Sequence, residues 1–326
     1  MGILSGRTHK SMSNYLLYST GTNPHRNLAL ESALMEKIQP GDFCMYLWQN
    51  KHTVVIGRNQ NAWKECRCEL LKEEGGTLAR RSTGGGAVYH DLGNLNFTFA
   101  ASPERYDLNM QLELILDALN SAGLRAEFTG RNDITLDGRK FSGNAFKHTK
   151  TCSIQHGTLM VSVNMETLSR YLRPSESKLK AKGVDSVRSR VCNLSEYAPD
   201  LTIDKLKELL ETVYRAKMGE VTLMREDDLD ISQLYPLYSS WEWNYGETPA
   251  FDVSLEKRFP WGGVELMLAL DKGAVKTATA YTDAMDADLG QKIKSALEGA
   301  PYGKELPQRL AFLPEMQAWL EEELPL

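Results

Sequence analysis

Arg80-Arg81-Ser82-Thr83-Gly84-Gly85-Gly86-Ala87-Val88-Tyr89-His90-Asp91 brings two guanidinium groups, three consecutive glycines and a His-Asp pair into one short run. Consecutive glycines weaken any helix or strand through backbone entropy. They suit a loop whose backbone must approach a ligand closely and present bare N–H donors. Arginines beside such a loop suit an anion, most often a phosphate or a carboxylate. Three glycines alone would equally fit a turn between strands, and it is the flanking residues that favour a ligand loop.

Four further groups of residues can take part in the same chemistry. Lys140, in Asp137-Gly138-Arg139-Lys140-Phe141-Ser142-Gly143-Asn144, enters a strand beside small residues. From there a point charge can neutralise a phosphate and polarise a carbonyl; the alternative is a solvated hairpin lysine. Asn132-Asp133 at the mouth of a strand can orient an adenine or hold Mg2+ through oxygen, or can simply form an Asx turn. His156, before Gly157 at a strand start, either lines a pocket or is a satisfied core histidine. Lys178, Lys180, Lys182, Arg188 and Arg190, interrupted by Gly183, form a basic loop that can close over a nucleotide or meet an acidic partner. The chain has no P-loop, no strand-placed GxGxxG, no HExxH and no GxSxG elbow. A distributed set of this kind suits activation of a carboxylate by ATP, in which fixed positive charge and Mg2+ cancel the repulsion between two anions.

These residues need a frame. Asn23-Pro24 is expected to cap a helix carrying Leu30, Ala33, Leu34 and Ile38 and stopped by Pro40-Gly41. Phe43 to Trp48, Thr53 to Ile56, Leu95 to Ala100 and Thr158 to Val163 read as strands. Leu112, Ile115, Leu116 and Leu119 keep helical spacing, with Gly123 to end the helix. Ile134 to Leu136, the pair Asp137-Gly138, and Lys140 onward form a hairpin. Leu206, Leu209, Leu210 and Val213 mark a helix closed near Gly219. Ser239 to Phe251, with Trp241, Trp243 and Tyr245, reads as a hinge. Beyond it, Val264 to Leu270 and Ala274 to Ala280 pair around Asp271-Lys272-Gly273, and two helical stretches follow. Strands clustered apart from helices predict an α+β fold. The expected division is a disordered start over 1–13, a large domain over 14–246, a linker over 247–251 and a smaller α+β domain over 252–326.

Bulk properties narrow the classes. A chain of 326 residues with 42% hydrophobic and 25% charged residues can bury a sizeable core. No apolar run approaches membrane-spanning length, and a net charge of -5 argues against general nucleic-acid binding. Residues 1–30 lack acids but carry Arg7, Lys10 and Arg26, a faint echo of a transit peptide. Cys44, Cys66, Cys68, Cys152 and Cys192 form an odd set, which points to a reducing, cytoplasmic setting, or to the mitochondrial matrix if the chain is eukaryotic. Cys66 and Cys68 are expected on different faces of one helix, without partners for zinc.

The chain closely resembles the lipoate–protein ligase A family. The likeness rests on 80–94, Gly130-Arg131-Asn132-Asp133, 137–145, His156-Gly157-Thr158-Leu159, 178–191 and Trp261-Gly262-Gly263-Val264-Glu265-Leu266, in conserved order from about residue 14 onward. The resemblance implies a large catalytic domain of biotin-ligase-like α+β fold, binding lipoate and ATP, with an accessory C-terminal domain. It implies that lipoate and Mg-ATP give lipoyl-AMP and pyrophosphate, after which the lipoyl group passes to a lysine of an acceptor protein. It places Lys140 at the lipoyl carbonyl and α-phosphate, and Arg81, Thr83, Gly85 and Gly86 around lipoate and the activated ester. His90 and His156 would line the lipoyl channel and Val88 would lie near the adenine. Asn132, Asp133, Lys182 and Gly183 would serve the nucleotide, with Asp133 also on magnesium. The loop 178–190 would be mobile without ligand and fold over the adenylate. Implied partners are lipoyl domains of 2-oxoacid dehydrogenase acyltransferase subunits and the glycine-cleavage H protein, with no nucleic acid and no membrane. Related amidotransferases use a cysteine nucleophile, at positions that here read Gly130-Arg131-Asn132-Asp133 or Leu172-Arg173-Pro174-Ser175. Two alternatives stay open: a transferase that takes preformed acyl-AMP, and a non-catalytic lipoate-binding protein.

Overall fold

The computed structural model describes residues 12–129, 132–173, 191–245, 253–271, 274–303 and 305–324. The basic loop with Lys182 and Gly183, the pair Gly130-Arg131, the linker 247–251, the turn residues Lys272-Gly273 and all but the last two residues of the start 1–13 lie outside them.

Local signals act where the sequence places them. The Asn23 side chain accepts from the His25 and Arg26 amides, and Pro24 opens the helix Pro24–Lys37. Asp107 caps the helix Leu108–Ser121, and Gly219, at φ 78, closes the helix Ile203–Met218. Asp137 and Gly138 both take positive φ, 50 and 75, as a two-residue hairpin turn requires.

Numbered along the chain, the strands are β1 (Ser13–Tyr18), β2 (Asp42–Trp48), β3 (Thr53–Ile56), β4 (Thr77–Arg80), β5 (Val88–His90), β6 (Asn94–Ala101) and β7 (Glu127–Thr129). They continue with β8 (Asp133–Leu136), β9 (Arg139–His148), β10 (Ser153–Met160), β11 (Thr222–Met224), β12 (Val253–Phe259), β13 (Gly262–Asp271) and β14 (Ala274–Thr282). The strand expected from Thr158 instead begins at Ser153, and β12 has no counterpart in the sequence reading. The fold is α+β, as expected.

The chain forms two compact units, neither continuous in sequence. The first comprises Met1–Lys51, Asp91–Val163 and Val187–Tyr235; the second comprises His52–His90, Asn164–Ser186 and Pro236–Leu326.

The first unit is built on an eight-stranded sheet of order β11-β1-β2-β6-β10-β9-β8-β7. Phe43, Met45, Leu47, Leu95, Phe97 and Phe99 share a core with Ile115 and Leu119 of one helix and Leu206, Leu210 and Tyr214 of another. Burying these side chains contributes roughly 1.5–3 kcal/mol each. The alternate side chains of β2 and β6 face the helix Pro24–Lys37, whose Asn27 and Glu31 bond to Tyr46 and Thr98.

The second unit holds two three-stranded sheets, β4-β3-β5 and β12-β13-β14. Helices Leu289–Leu297 and Pro314–Glu323 cover the latter through Ile293, Leu297, Met316, Trp319 and Leu320. Cys66 and Cys68 do not share a helix, which corrects their expected separation. Cys66 lies between two short helices and bridges Leu172, while Cys68 begins the second helix. Their thiols hydrogen-bond to each other; that bond, joined by burial, pushes the Cys66 thiol up, whereas on Cys68 it outweighs the raising effect of burial and draws the thiol down.

Candidate active site

In the second unit the glycine run links β4 to β5, and its arginines hold the loop itself. Arg80 is buried, and its Nη1 donates to the carbonyls of Gly57, Arg58 and Gln60. Its Nε reaches the Trp243 carbonyl and its Nη2 that of Asn244. Burial, reinforced by the neighbouring Arg58 charge, lowers its pKa to about 10. In return, Trp243 Nε1 donates to the Arg80 carbonyl at 2.8 Å. Two of the aromatic residues read as a hinge therefore belong to helix Trp241–Asn244, which clamps β4.

Arg81 folds back on the loop that follows it. Its Nη2 donates to the carbonyls of Gly84 (2.7 Å) and Gly86 (2.8 Å), and its Nε to Thr83 Oγ1 (3.0 Å). Each glycine answers a different constraint. A Cβ on Gly84 would lie 2.2 Å from the Ala284 carbonyl oxygen, and the Gly85 amide donates to that oxygen at 2.9 Å. Gly85 has φ 89, a region that disfavours side chains. Gly86 has open space on its Cβ side. Ser82 is buried with its hydroxyl unbonded among the described residues. Val88 and His90 sit on β5, paired with Val55 and Thr53 of β3.

In the first unit Lys140 occupies an irregular position on β9. Ile134 pairs with Ser142 but Thr135 pairs with Lys140, leaving Phe141 as an extra residue. Such a bulge resets side-chain direction. Phe141 enters the core, fully buried, while Lys140 lies over Gly143, where a Cβ would meet Nζ at 3.1 Å and Cε at 3.2 Å. The Cys192 amide bonds to the Lys140 carbonyl at 2.9 Å, fixing the backbone.

Lys140 Nζ is 2.7 Å from Asp133 Oδ1. That oxygen is itself buried and accepts no aligned hydrogen bond, so the contact is an ion pair open to rearrangement. Asn132 braces the neighbouring strand: its carbonyl accepts from the amide and side chain of Asn144 at 2.8 and 3.1 Å. The structure thus brings Lys140, Asp133 and Asn132 together and places His156 on the same sheet. Arg81, Thr83, Gly85, Gly86, Val88 and His90 belong to the other unit.

Sequence reading missed what holds His156. Its Nδ1 lies 2.8 Å from Oε1 of Glu31, which also accepts from Thr98 at 2.6 Å, and Thr98 accepts from Trp48 Nε1 at 3.1 Å. The available signal was an acid inside an apolar helical stripe. Burial acts to raise the Glu31 carboxyl, but the charge and hydrogen bond of His156, with that of Thr98, outweigh it and hold the pKa below the ordinary 4.5. A depressed carboxyl stabilises the fold above its unfolded pKa, and that stability is lost as pH falls through the folded value. Glu31→Gln is accordingly expected to flatten the loss of thermal stability below about pH 4.5, read from Tm against pH. An unchanged acid limb would contradict this linkage.

Among the described residues no three His, Cys, Asp or Glu side chains converge on one point. Magnesium ordinarily takes only one or two protein carboxylates and completes its shell with water and substrate phosphates. Asp133, about one-third exposed, fits that requirement.

Residues 23–215 match the family model for the lipoyl protein ligase A/B catalytic domain, and 248–311 match that for the bacterial lipoate protein ligase C-terminus. P. falciparum LipL1, solved in complex with lipoate, is 30% identical with a TM-score of 0.83, covering 95% of this chain and 100% of its own. A bi-partite lipoate protein ligase from Thermoplasma acidophilum, solved in a study that includes its E2 lipoyl domain, is 29% identical with a TM-score of 0.64 over 74% and 100% of the two chains. A lipoate-protein ligase A bound with ATP is 28% identical with a TM-score of 0.61, covering 73% and 99%.

Proposed function

The chain belongs to the lipoyl protein ligase family and is a ligase, and on that premise we propose that it joins lipoate to protein lysines through a lipoyl-AMP intermediate. Lipoate and ATP enter first, and pyrophosphate leaves. A lysine amine of a lipoyl domain then displaces AMP; the glycine-cleavage H protein is a second acceptor of the same kind. The observation that carries this reading is the Lys140 ammonium, lodged over Gly143 and paired with Asp133. A lipoate carrier needs no such charge, because storage involves no phosphate chemistry.

Lys140 contacts the lipoyl carbonyl and the α-phosphate. Arg81, Thr83, Gly85 and Gly86 form the lipoate loop, with Arg81 acting by fixing the loop carbonyls. His90 and His156 line the lipoyl channel, Val88 adjoins the adenine, and Asn132, Asp133, Lys182 and Gly183 serve the nucleotide. Asp133 would hold Mg2+, which supplies charge neutralisation between phosphates. Residues 14–246 constitute the catalytic domain and 252–326 the accessory domain, in the cytoplasm. Among the described residues no helix is long and apolar enough to cross a membrane.

A cysteine-based transferase is disfavoured. Cys152, near His156 in sequence, is fully buried, and burial pushes its thiol to about 12, leaving little thiolate. ATP–pyrophosphate exchange tests the ligase reading: lipoate-dependent exchange is expected. Absence of exchange, combined with transfer from synthetic lipoyl-AMP, would leave only the transferase that takes preformed adenylate.

A further inference from the structure

Strand β6 is buried along its whole length, yet only one of its faces is apolar. Leu95, Phe97 and Phe99 enter the core, while Asn94, Asn96 and Thr98 alternate with them. A strand covered on both sides is ordinarily apolar on both, because an unbonded buried polar atom is destabilising. Thr98 is accounted for by Glu31 and Trp48. The two asparagines are not.

Asn94 is 1% exposed and Asn96 2%. Asn94 Nδ2 donates to Asn96 Oδ1 at 3.0 Å. Asn94 Oδ1 and Asn96 Nδ2 then have no partner among the described residues. Turning both amides over exchanges which residue holds the donor, but still leaves one donor and one acceptor unbonded.

Cross-strand neighbours put this pair on the Lys140 face of the sheet. Thr158 of β10 stands opposite Asn96, and its Oγ1 accepts from the Gly143 amide at 3.2 Å. Gly143 is the residue over which Lys140 Nζ lies. From Asn96 through Thr158 to Gly143 is two strand spacings, roughly 10 Å.

One unbonded donor held beside one unbonded acceptor complements a group that offers one of each. In acyl transfer to an amine, that group is the forming amide: the acyl oxygen accepts and the amine N–H donates. We propose that Asn94 and Asn96 form a subsite for the transfer half of the reaction, the free amide donor meeting the acyl oxygen and the free amide acceptor the incoming lysine amine. The inference rests on the ligase reading above. In the step itself the amine lone pair forms the C–N bond, and the acyl–phosphate C–O bond breaks with its electron pair leaving on AMP. The amine proton passes to an AMP phosphate oxygen and then to solvent. An asparagine oxygen is no base, so it orients the amine, while the amide donor stabilises charge developing on the acyl oxygen.

The test separates the half-reactions in the full-length enzyme. Asn94→Asp and Asn96→Asp keep the side-chain shape but remove its donors; Asn96→Leu removes both functions. ATP–pyrophosphate exchange with lipoate reports activation, and transfer from synthetic lipoyl-AMP to a lipoyl domain reports the second step. Transfer is expected to fall at least about tenfold, toward the 10²–10³ typical of a lost oxyanion donor, with exchange unchanged. Unchanged transfer in all three variants would mean that the pair holds only an ordered water, and would overturn the proposal. Equal losses in both half-reactions would overturn it too, by assigning the pair to packing; circular dichroism on the isosteric Asp variants checks that the fold is kept. Absence of exchange in the wild-type enzyme would sink the ligase reading instead, a separate outcome.

Discussion

Lys140→Ala is expected to lower the overall rate of lipoyl ligation by at least roughly 10²–10³-fold, the effect of removing one donor from developing charge. The loss should be larger still if the same ammonium acts in both half-reactions, and it should appear in exchange as well as in transfer. The fold should survive. Lys140 and Asp133 are each 37% exposed, and ion pairs at such exposure contribute only about 0–1 kcal/mol. The strand is held independently, by the bulge that sends Phe141 into the core and by the Cys192 amide on the Lys140 carbonyl. Lys140→Arg should not restore the rate. A forked guanidinium cannot act as a compact point charge. Near-normal exchange in Lys140→Ala, with Tm unchanged, would remove Lys140 from the chemistry altogether.

How much of this site can be read from the sequence depends on how local its causes are. The hairpin was legible because Asp137-Gly138 supplies both positive φ values by itself, and it delivered Lys140 to the right strand. The bulge beside it was not legible. Whether Phe141 or Lys140 turns inward is decided by pairing with β8 and by the core, and no residue within β9 announces it. His156 could be named as a pocket residue, but its partner Glu31 is 125 positions away. Guanidinium groups beside glycines suit an anion, yet the resemblance carries over only Arg81 and leaves Arg80 open to a structural role. Arg80 spends its donors on carbonyls, including Trp243 and Asn244 far along the chain. A sequence pattern shows which donors exist; only the fold shows which of them are already used.

The glycine run offers the second large effect, because its members separate structural from ligand-directed roles. Gly84→Ala places a methyl 2.2 Å from the Ala284 carbonyl oxygen and 2.8 Å from that of Met285. Both obstacles are backbone, so neither can rotate away. The segment Thr282–Ala287 is further fixed to Asn59, which accepts from the Thr282 amide and donates to the Ala287 carbonyl. Relief therefore requires moving either the loop or the segment, with loss of the Gly85–Ala284 hydrogen bond. Overpacking of this kind costs about 1–3 kcal/mol, and the lost bond about 1 kcal/mol more. Gly86→Ala meets nothing within 4 Å and needs no positive φ. It should leave Tm unchanged or slightly raised, since alanine restricts the unfolded chain by roughly 0.4–1 kcal/mol. If the ligand lies along Gly86, this variant should nonetheless raise KM for lipoate, because the added methyl occupies the approach. Thermal melts and lipoate KM values for the two variants then fall into opposite patterns: Gly84→Ala unstable, Gly86→Ala stable but weak in binding. A stable Gly86→Ala with unaltered KM would remove that glycine from the lipoate site, leaving the run as a platform for the residues at 284–285.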